Sequence, residues 1–244
     1  MSAMPWHLVW LSITLLGAHH VDAQTTDPRT PLPAHTRPWH EAIGHLQVPI
    51  TRFEGSRRRH FTEHCSATSV TPGPHPIFVT AWHCLDGYDG LLRPMLLTIG
   101  QREPVPMRVL ASGGSMSADW ALLRADEPIE DLHWISLSAD PLHVGTKVSA
   151  AGIAPIESSS DQAAGVPSTK RRLLIHSECE ITDTKSNNGI SNCVARPGAS
   201  GGAILSRTHS GSVRLSGVIS AGDGESVVLY YPTDALFRRV QSLR

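Results

Sequence analysis

Residues 197–205 read Pro-Gly-Ala-Ser-Gly-Gly-Ala-Ile-Leu (PGASGGAIL). One serine, Ser200, sits among small residues, with two glycines behind it and an apolar run at once after them. A flexible linker accounts for glycines but not for Ala203-Ile204-Leu205, which is strand-like. A nucleophile on a tight turn accounts for both, because glycine lets the backbone take conformations closed to other residues and approach closely. That reading needs a base and a carboxylate elsewhere in the chain.

Ile77–Cys84 (IFVTAWHC) supplies the first candidate: an apolar strand runs into His83, and Cys84 follows. The chain holds 14 histidines, and residue type alone singles out none of them. His83 is set apart by a neighbouring cysteine that could pin the backbone beside the imidazole, as an acid–base group requires. Ser117–Leu123 (SADWALL) supplies the carboxylate. Asp119 stands at the entrance to an apolar strand, where burial is costly unless the oxygens accept hydrogen bonds, and an imidazole N–H is a good donor. Asp86 and Asp89 follow His83 too closely to reach its far nitrogen.

The composition suits such a site. The chain has 244 residues, 18% charged and 40% hydrophobic, with formal charge −1, so nothing in it favours nucleic acid or an anionic membrane. Gly (20) and Pro (18) are plentiful and aromatics sparse, which suits short strands and turns. Strand-like runs fall at 77–82, 95–99, 107–111, 120–123, 147–150, 172–175, 203–205, 214–220 and 226–230. Only the end looks helical: Thr233-Asp234 can cap a segment with Leu236, Val240 and Leu243 on one face.

Leu8–Gly17 is an apolar core of signal-peptide length, too short to span a bilayer, with Val21-Asp22-Ala23 as a cleavage site, although no Lys or Arg precedes it. Residues 1–23 are read as a signal peptide, 24–44 as a pro-segment or disordered lead, and 45–244 as one domain. Export favours disulfides among Cys65, Cys84, Cys179 and Cys193. Three connectivities are open, of which Cys65–Cys84 with Cys179–Cys193 is the simplest. No CxxC pair is present, and His60, His64 and His75 match no ligand spacing, so no metal and no cofactor is expected. Arg57-Arg58-Arg59 and Lys170-Arg171-Arg172 read as solvated loop clusters.

Together the three stretches resemble the trypsin/chymotrypsin-like serine proteases. Thr80-Ala81-Trp82-His83-Cys84 matches the family's Thr-Ala-Ala-His-Cys motif, and Cys65 matches the partner cysteine of its histidine loop. Asp119-Trp120-Ala121-Leu122-Leu123 matches Asp-Ile-Ala-Leu-Leu, and Gly198-Ala199-Ser200-Gly201-Gly202 matches Gly-Asp-Ser-Gly-Gly. The order His, Asp, Ser is the family's. The resemblance spans about Pro49 to the C-terminus. It implies an all-β fold of two six-stranded antiparallel barrels, about 49–139 and 141–244, with a C-terminal helix. It also implies a secreted serine endopeptidase acting on protein or peptide substrates, expected as a monomer.

By that resemblance His83 is the general base, Asp119 orients it, Ser200 attacks, and the backbone N–H groups of Gly198 and Ser200 receive the oxyanion. Val194 falls at the base of the primary pocket, which therefore lacks a carboxylate, and Ser220-Ala221-Gly222 offers a strand edge to substrate. Ile219 stands where Glu-specific relatives carry histidine, which leaves an apolar or small side chain as the expectation, with a basic preference restored if Asp223 or Glu225, past the matched segment, approaches the pocket. Two departures stand out. Ala199 replaces the aspartate that pairs with a freshly cut N-terminus in many members, and no Ile-Val-Gly-Gly start is present, so that activation switch cannot operate here. Two rivals remain: a protease-like binding protein without turnover, and an esterase with a nucleophile elbow. The esterase is disfavoured because its histidine follows its serine and its setting is α/β.

Overall fold

The Ile77–Thr80 strand is buried at all four positions because both of its faces meet a core. Phe78 points into one barrel, while Ile77 and Val79 join a cluster shared with the other barrel. A strand buried on both sides reads as an unbroken apolar run rather than an alternating one. The computed structural model describes residues 27–32, 38–91, 93–156, 170–184 and 187–243. The segment read as a signal peptide lies outside them.

The elements run β1 (Thr30–Pro31), a 3-10 turn (Pro38–Ala42), β2 (Ile43–Glu54), β3 (Arg57–Ser69), β4 (Ile77–Thr80), a second 3-10 turn (Trp82–Leu85), β5 (Met95–Thr98), β6 (Val105–Ser112) and β7 (Ala121–Ala125). They continue with β8 (Lys147–Pro155), β9 (Arg171–Asp183), β10 (Gly189–Ser191), β11 (Ala203–Arg207), β12 (Val213–Gly222), β13 (Val228–Pro232) and a helix, α1 (Asp234–Gln241). The first barrel closes in the order β2-β3-β4-β7-β6-β5. The second runs β9-β10-β13-β12-β11-β8 and closes by β8 pairing with β9. The two closed six-stranded antiparallel barrels and the C-terminal helix are as expected.

Each barrel has its own apolar interior. Leu46, Val48, Phe78, Met95, Leu97 and Leu123 fill the first, and Val148, Ile181, Ile204, Ile219 and Tyr230 the second. A third cluster seals the seam, with Ile43, Val79 and Leu122 from one barrel against Ala151, Ala203 and Val218 from the other. Leu236 and Val240 of α1 are buried in it, and Arg124 Nη2 donates to the Leu243 carbonyl at 2.7 Å, tying the helix to the first barrel. Thr233 does stand at the helix start, but its hydroxyl caps nothing; it donates to the Leu215 carbonyl at 2.7 Å.

Three expectations change. The stretch 24–44 is not without structure where it is described: β2 already begins at Ile43, and Thr30–Pro31 pairs with Ile175 and Leu174 of β9. Arg57–Arg59 lie in a strand, where Arg59 Nε meets Glu54 Oε2 at 2.8 Å across the hairpin, although they are solvated as expected. Arg171 likewise lies in a strand, opening β9 one residue before the run expected at 172–175. The disulfides join Cys65 to Cys84 and Cys179 to Cys193.

Candidate active site

His83 lies on the 3-10 turn that follows β4, one residue before the cystine to β3. Asp119 stands just before β7 and is fully buried. Because β4 pairs with β7, Thr80 lies opposite Ala121, so the register itself brings the turn and the carboxylate together. Asp119 Oδ1 accepts the His83 backbone N–H at 2.8 Å, and Oδ2 lies 2.8 Å from His83 Nδ1. Oδ2 also accepts the hydroxyl of Ser220 across the seam. Burial pushes the Asp119 carboxyl up, but the hydrogen bonds from His83 and Ser220 outweigh it and leave the group below the usual carboxylate range. The carboxylate is therefore ionised and can only accept, so His83 Nδ1 carries the proton of this bond and Nε2 is the ring nitrogen that Asp119 does not engage. This is the partner that the sequence assigned to Asp119 rather than to Asp86 or Asp89.

Ser200 reaches the same seam from the second barrel. Its carbonyl accepts the Ser66 N–H at 2.7 Å, and Gly201 N–H donates to Ile219 at 2.7 Å. Gly198 has φ +100°, a left-handed conformation that glycine adopts without strain. Among the described residues the N–H groups of Gly198 and Ser200 have no backbone acceptor, so both are free to meet an anion. The Ser200 hydroxyl has no hydrogen-bond partner among the described residues either, so its link to His83 Nε2 is open in this state. Catalytic contacts of this kind often tighten only with substrate.

Sequence reasoning missed Ser66. It is fully buried, its hydroxyl donates to the Gly198 carbonyl at 2.8 Å, and it accepts the Ile153 N–H at 2.8 Å. The Ser66 carbonyl in turn accepts Thr80 Oγ1 at 2.8 Å. One residue thus connects the strand leading to His83, the turn carrying Ser200, and β8. The only signal in the sequence is its place after Cys65. Ala199, lacking the family's carboxylate, is buried within the second barrel's core against Gly152. What holds the turn is this set of neutral hydrogen bonds. Ser66→Ala is expected to lower the unfolding free energy by about 2 kcal/mol, because it strands a buried N–H and a buried carbonyl. Urea denaturation reads this, and a loss under about 0.5 kcal/mol, within the range of ordinary surface changes, would mean the bridge is dispensable.

Val194 is buried, and its N–H donates to His176 Nδ1 at 2.9 Å. The next residue packs closely on the other segment expected to bind substrate: a Cβ on Gly222 would stand 3.1 Å from the Ala195 carbonyl. β12 pairs with β11 only as far as Val218, so the Ser220–Gly222 edge on that side is open, with Ala221 and Gly222 exposed. Ser220 was expected to serve through its main chain; its side chain is also engaged, on Asp119.

His83, Cys65 and Cys84 are the one group of possible metal ligands drawn together among the described residues, but the two sulfurs are joined to each other and offer no thiolate. Among the described residues, no helix is long and apolar enough to cross a membrane.

No protein-family model matches the chain, and no curated protein is similar to it in sequence. Solved structures are similar in shape. An HtrA-type protease, AlgW with a decapeptide, superposes with a TM-score of 0.58 at 18% identity, covering 84% of this chain and 65% of that one. A serine endoprotease from Yersinia pestis gives 0.57 at 16% identity, covering 85% of this chain and 64% of that one. The chain therefore spans just under two thirds of the length of either. Its fold is that of the trypsin-like serine proteases.

Proposed function

We propose that the chain is a secreted serine endopeptidase that cleaves peptide bonds through an acyl-enzyme. Peptide hydrolysis needs a hydroxyl made nucleophilic by a base during attack. In this reading His83 Nε2 takes the Ser200 proton as Oγ attacks the carbonyl carbon. The proton then passes to the leaving amine, and Asp119 holds the tautomer and stabilises the imidazolium. The tetrahedral oxyanion falls to the N–H groups of Gly198 and Ser200, each such donor being worth about 3 kcal/mol in the transition state. Water enters after the leaving peptide and the same base activates it. The substrate's acyl half adds to the Ser220–Gly222 edge as an extra strand, its side chain directed toward Val194.

The observation that carries the reading is the His83–Asp119–Ser220 network together with a backbone turn whose Gly198 and Ser200 N–H groups have no backbone acceptor among the described residues. The peptide held by AlgW is consistent with a fold that accepts extended chains. The two disulfides and the apolar core at residues 8–17 support export.

A second reading, a binding protein that has lost turnover, draws on the open contact between Ser200 and His83. A fluorophosphonate probe separates the two. Covalent labelling of the folded protein that vanishes in Ser200→Ala is the expected result. No labelling of folded protein would overturn the enzyme reading.

A further inference from the structure

β2 and β3 send alternate residues out of the first barrel. Leu46 and Val48 point in, whereas His45 on β2 and His64 and Ser66 on β3 share the outer face, with His45 opposite Ser66 in the register. His45 Nε2 lies 3.0 Å from His64 Nδ1, and the rings stack with centroids 5.1 Å apart. Burial, then the charges of its neighbours, holds His45 down to about 4, and burial also lowers His64. Both rings are thus neutral near neutral pH. Two neutral imidazoles that share one hydrogen bond leave one N–H free, whichever ring donates.

The charge beside them is Arg171, at the start of β9 on the second barrel, and it acts on both rings. Its Nη1 is buried without a hydrogen-bond partner and would stand 2.7 Å from a Cβ on Gly198. No ion pair joins Arg171 to a carboxylate among the described residues. Glu63, the nearest acidic influence on His64, is itself 3.2 Å from Arg52. Among the described residues no carboxylate pairs with the Arg171 guanidinium, which sits against the nucleophile turn next to a spare imidazole N–H.

Resting on the proposed function, the acyl half of a substrate follows Ser220–Gly222. Ser66, opposite His45, holds Gly198 and Ser200 from the other side of the turn. The chain beyond the scissile bond must leave along that other side. We infer that Arg171, with His45 and His64, forms a subsite for a carboxylate on the leaving peptide, one or two residues past the cut. The carboxylate comes either from an Asp or Glu side chain or from the free C-terminus of a short leaving peptide. Guanidinium offers it two parallel N–H donors, and the imidazole a third.

The test is a set of quenched fluorescent peptides differing only past the cut: Glu or Gln at the first or second position, each with a free or amidated C-terminus. In the wild-type protein Glu is expected to exceed Gln in kcat/KM by about tenfold, the size of one charge-assisted hydrogen bond. In Arg171→Gln that ratio is expected to fall to about one, with Arg171→Lys intermediate because it keeps the charge and loses the fork. A preference that follows the free terminus instead of the side chain assigns the site to the C-terminal carboxylate. An Arg171→Gln variant that slows Glu and Gln peptides equally would overturn the subsite and leave Arg171 as a prop for Gly198; so would a wild-type protein blind to every carboxylate. Anisotropy binding of the same peptides to Ser200→Ala separates this claim from the one beneath it. Glu-selective binding that depends on Arg171, in a protein that cleaves none of them, keeps the subsite and removes the peptidase.

Discussion

Asp119→Asn is expected to fold and to lose about four orders of magnitude in kcat, with far less change in KM. The carboxylate receives three hydrogen bonds: the His83 N–H, His83 Nδ1 and the Ser220 hydroxyl. An asparagine can accept with one atom only, and its NH2 must face a donor. The relief is for the imidazole to move its proton to Nε2 and accept at Nδ1, which removes the base from the nitrogen that the proposed mechanism uses. Steady-state kinetics on a cleaved peptide reads this directly, and an Asn variant within about tenfold of wild type would show that the tautomer is not what Asp119 controls. The same substitution has a pH signature. The folded-state pKa of Asp119 lies below its ordinary value of 3.8, so ionisation stabilises the fold above that value. That contribution is lost as pH falls through the folded-state pKa. The gap in thermal stability between wild type and Asp119→Asn should accordingly close on the acid side of 3.8 and be constant above it.

What the residues disclosed and what they hid divide along physical lines. β4 and β7 were legible because they are buried on both faces and carry little but apolar side chains. The β2–β3 hairpin, twelve paired rungs long, was not. Its outer face is polar where it meets the other barrel and solvent, Pro49 interrupts β2, and the Arg57–Arg59 run reads as loop. The Thr30–Pro31 strand is two residues long and owes its existence to β9, which no local pattern announces. The site divides in the same way. His83, Asp119 and Ser200 each lie in a stretch whose neighbours give it away, and the structure brings His83 and Asp119 into contact. Ser66 and the hydroxyl of Ser220 act across the seam between barrels, so their work depends on register and docking, which no local stretch of sequence encodes. Arg171 was masked by its neighbours: in a Lys-Arg-Arg run, the residue that turns inward looks like the two that do not.

Gly201→Ala is expected to be among the most damaging single-methyl changes in the protein, costing several kcal/mol and most of the activity. Gly201 has φ +78°, where any side chain costs about 1–2 kcal/mol. Its Cβ would press into the Ser66 carbonyl oxygen and Thr80 Oγ1, and stand 3.0 Å from the Ala81 N. None of these can step aside. Ser66 and Thr80 are fully buried and hydrogen-bonded to each other at 2.8 Å, and Ala81 begins the approach to His83. Relief must come from parting the barrels where the Ser200 turn packs against Ser66, Thr80 and Ala81, an overpacking cost of about 1–3 kcal/mol further. Gly55 supplies the control. It has φ +62° at the tip of the β2–β3 hairpin with nothing within 4 Å of a Cβ, so Gly55→Ala carries the backbone cost alone. At about 2–4 °C per kcal/mol for a domain of this size, thermal unfolding should separate the two variants by several degrees, with cleavage lost only in Gly201→Ala. Equal melting temperatures and equal activity would mean that the barrels do not close tightly around the turn that carries Ser200, and the packing of that turn on Ser66, Thr80 and Ala81 would have no energetic weight.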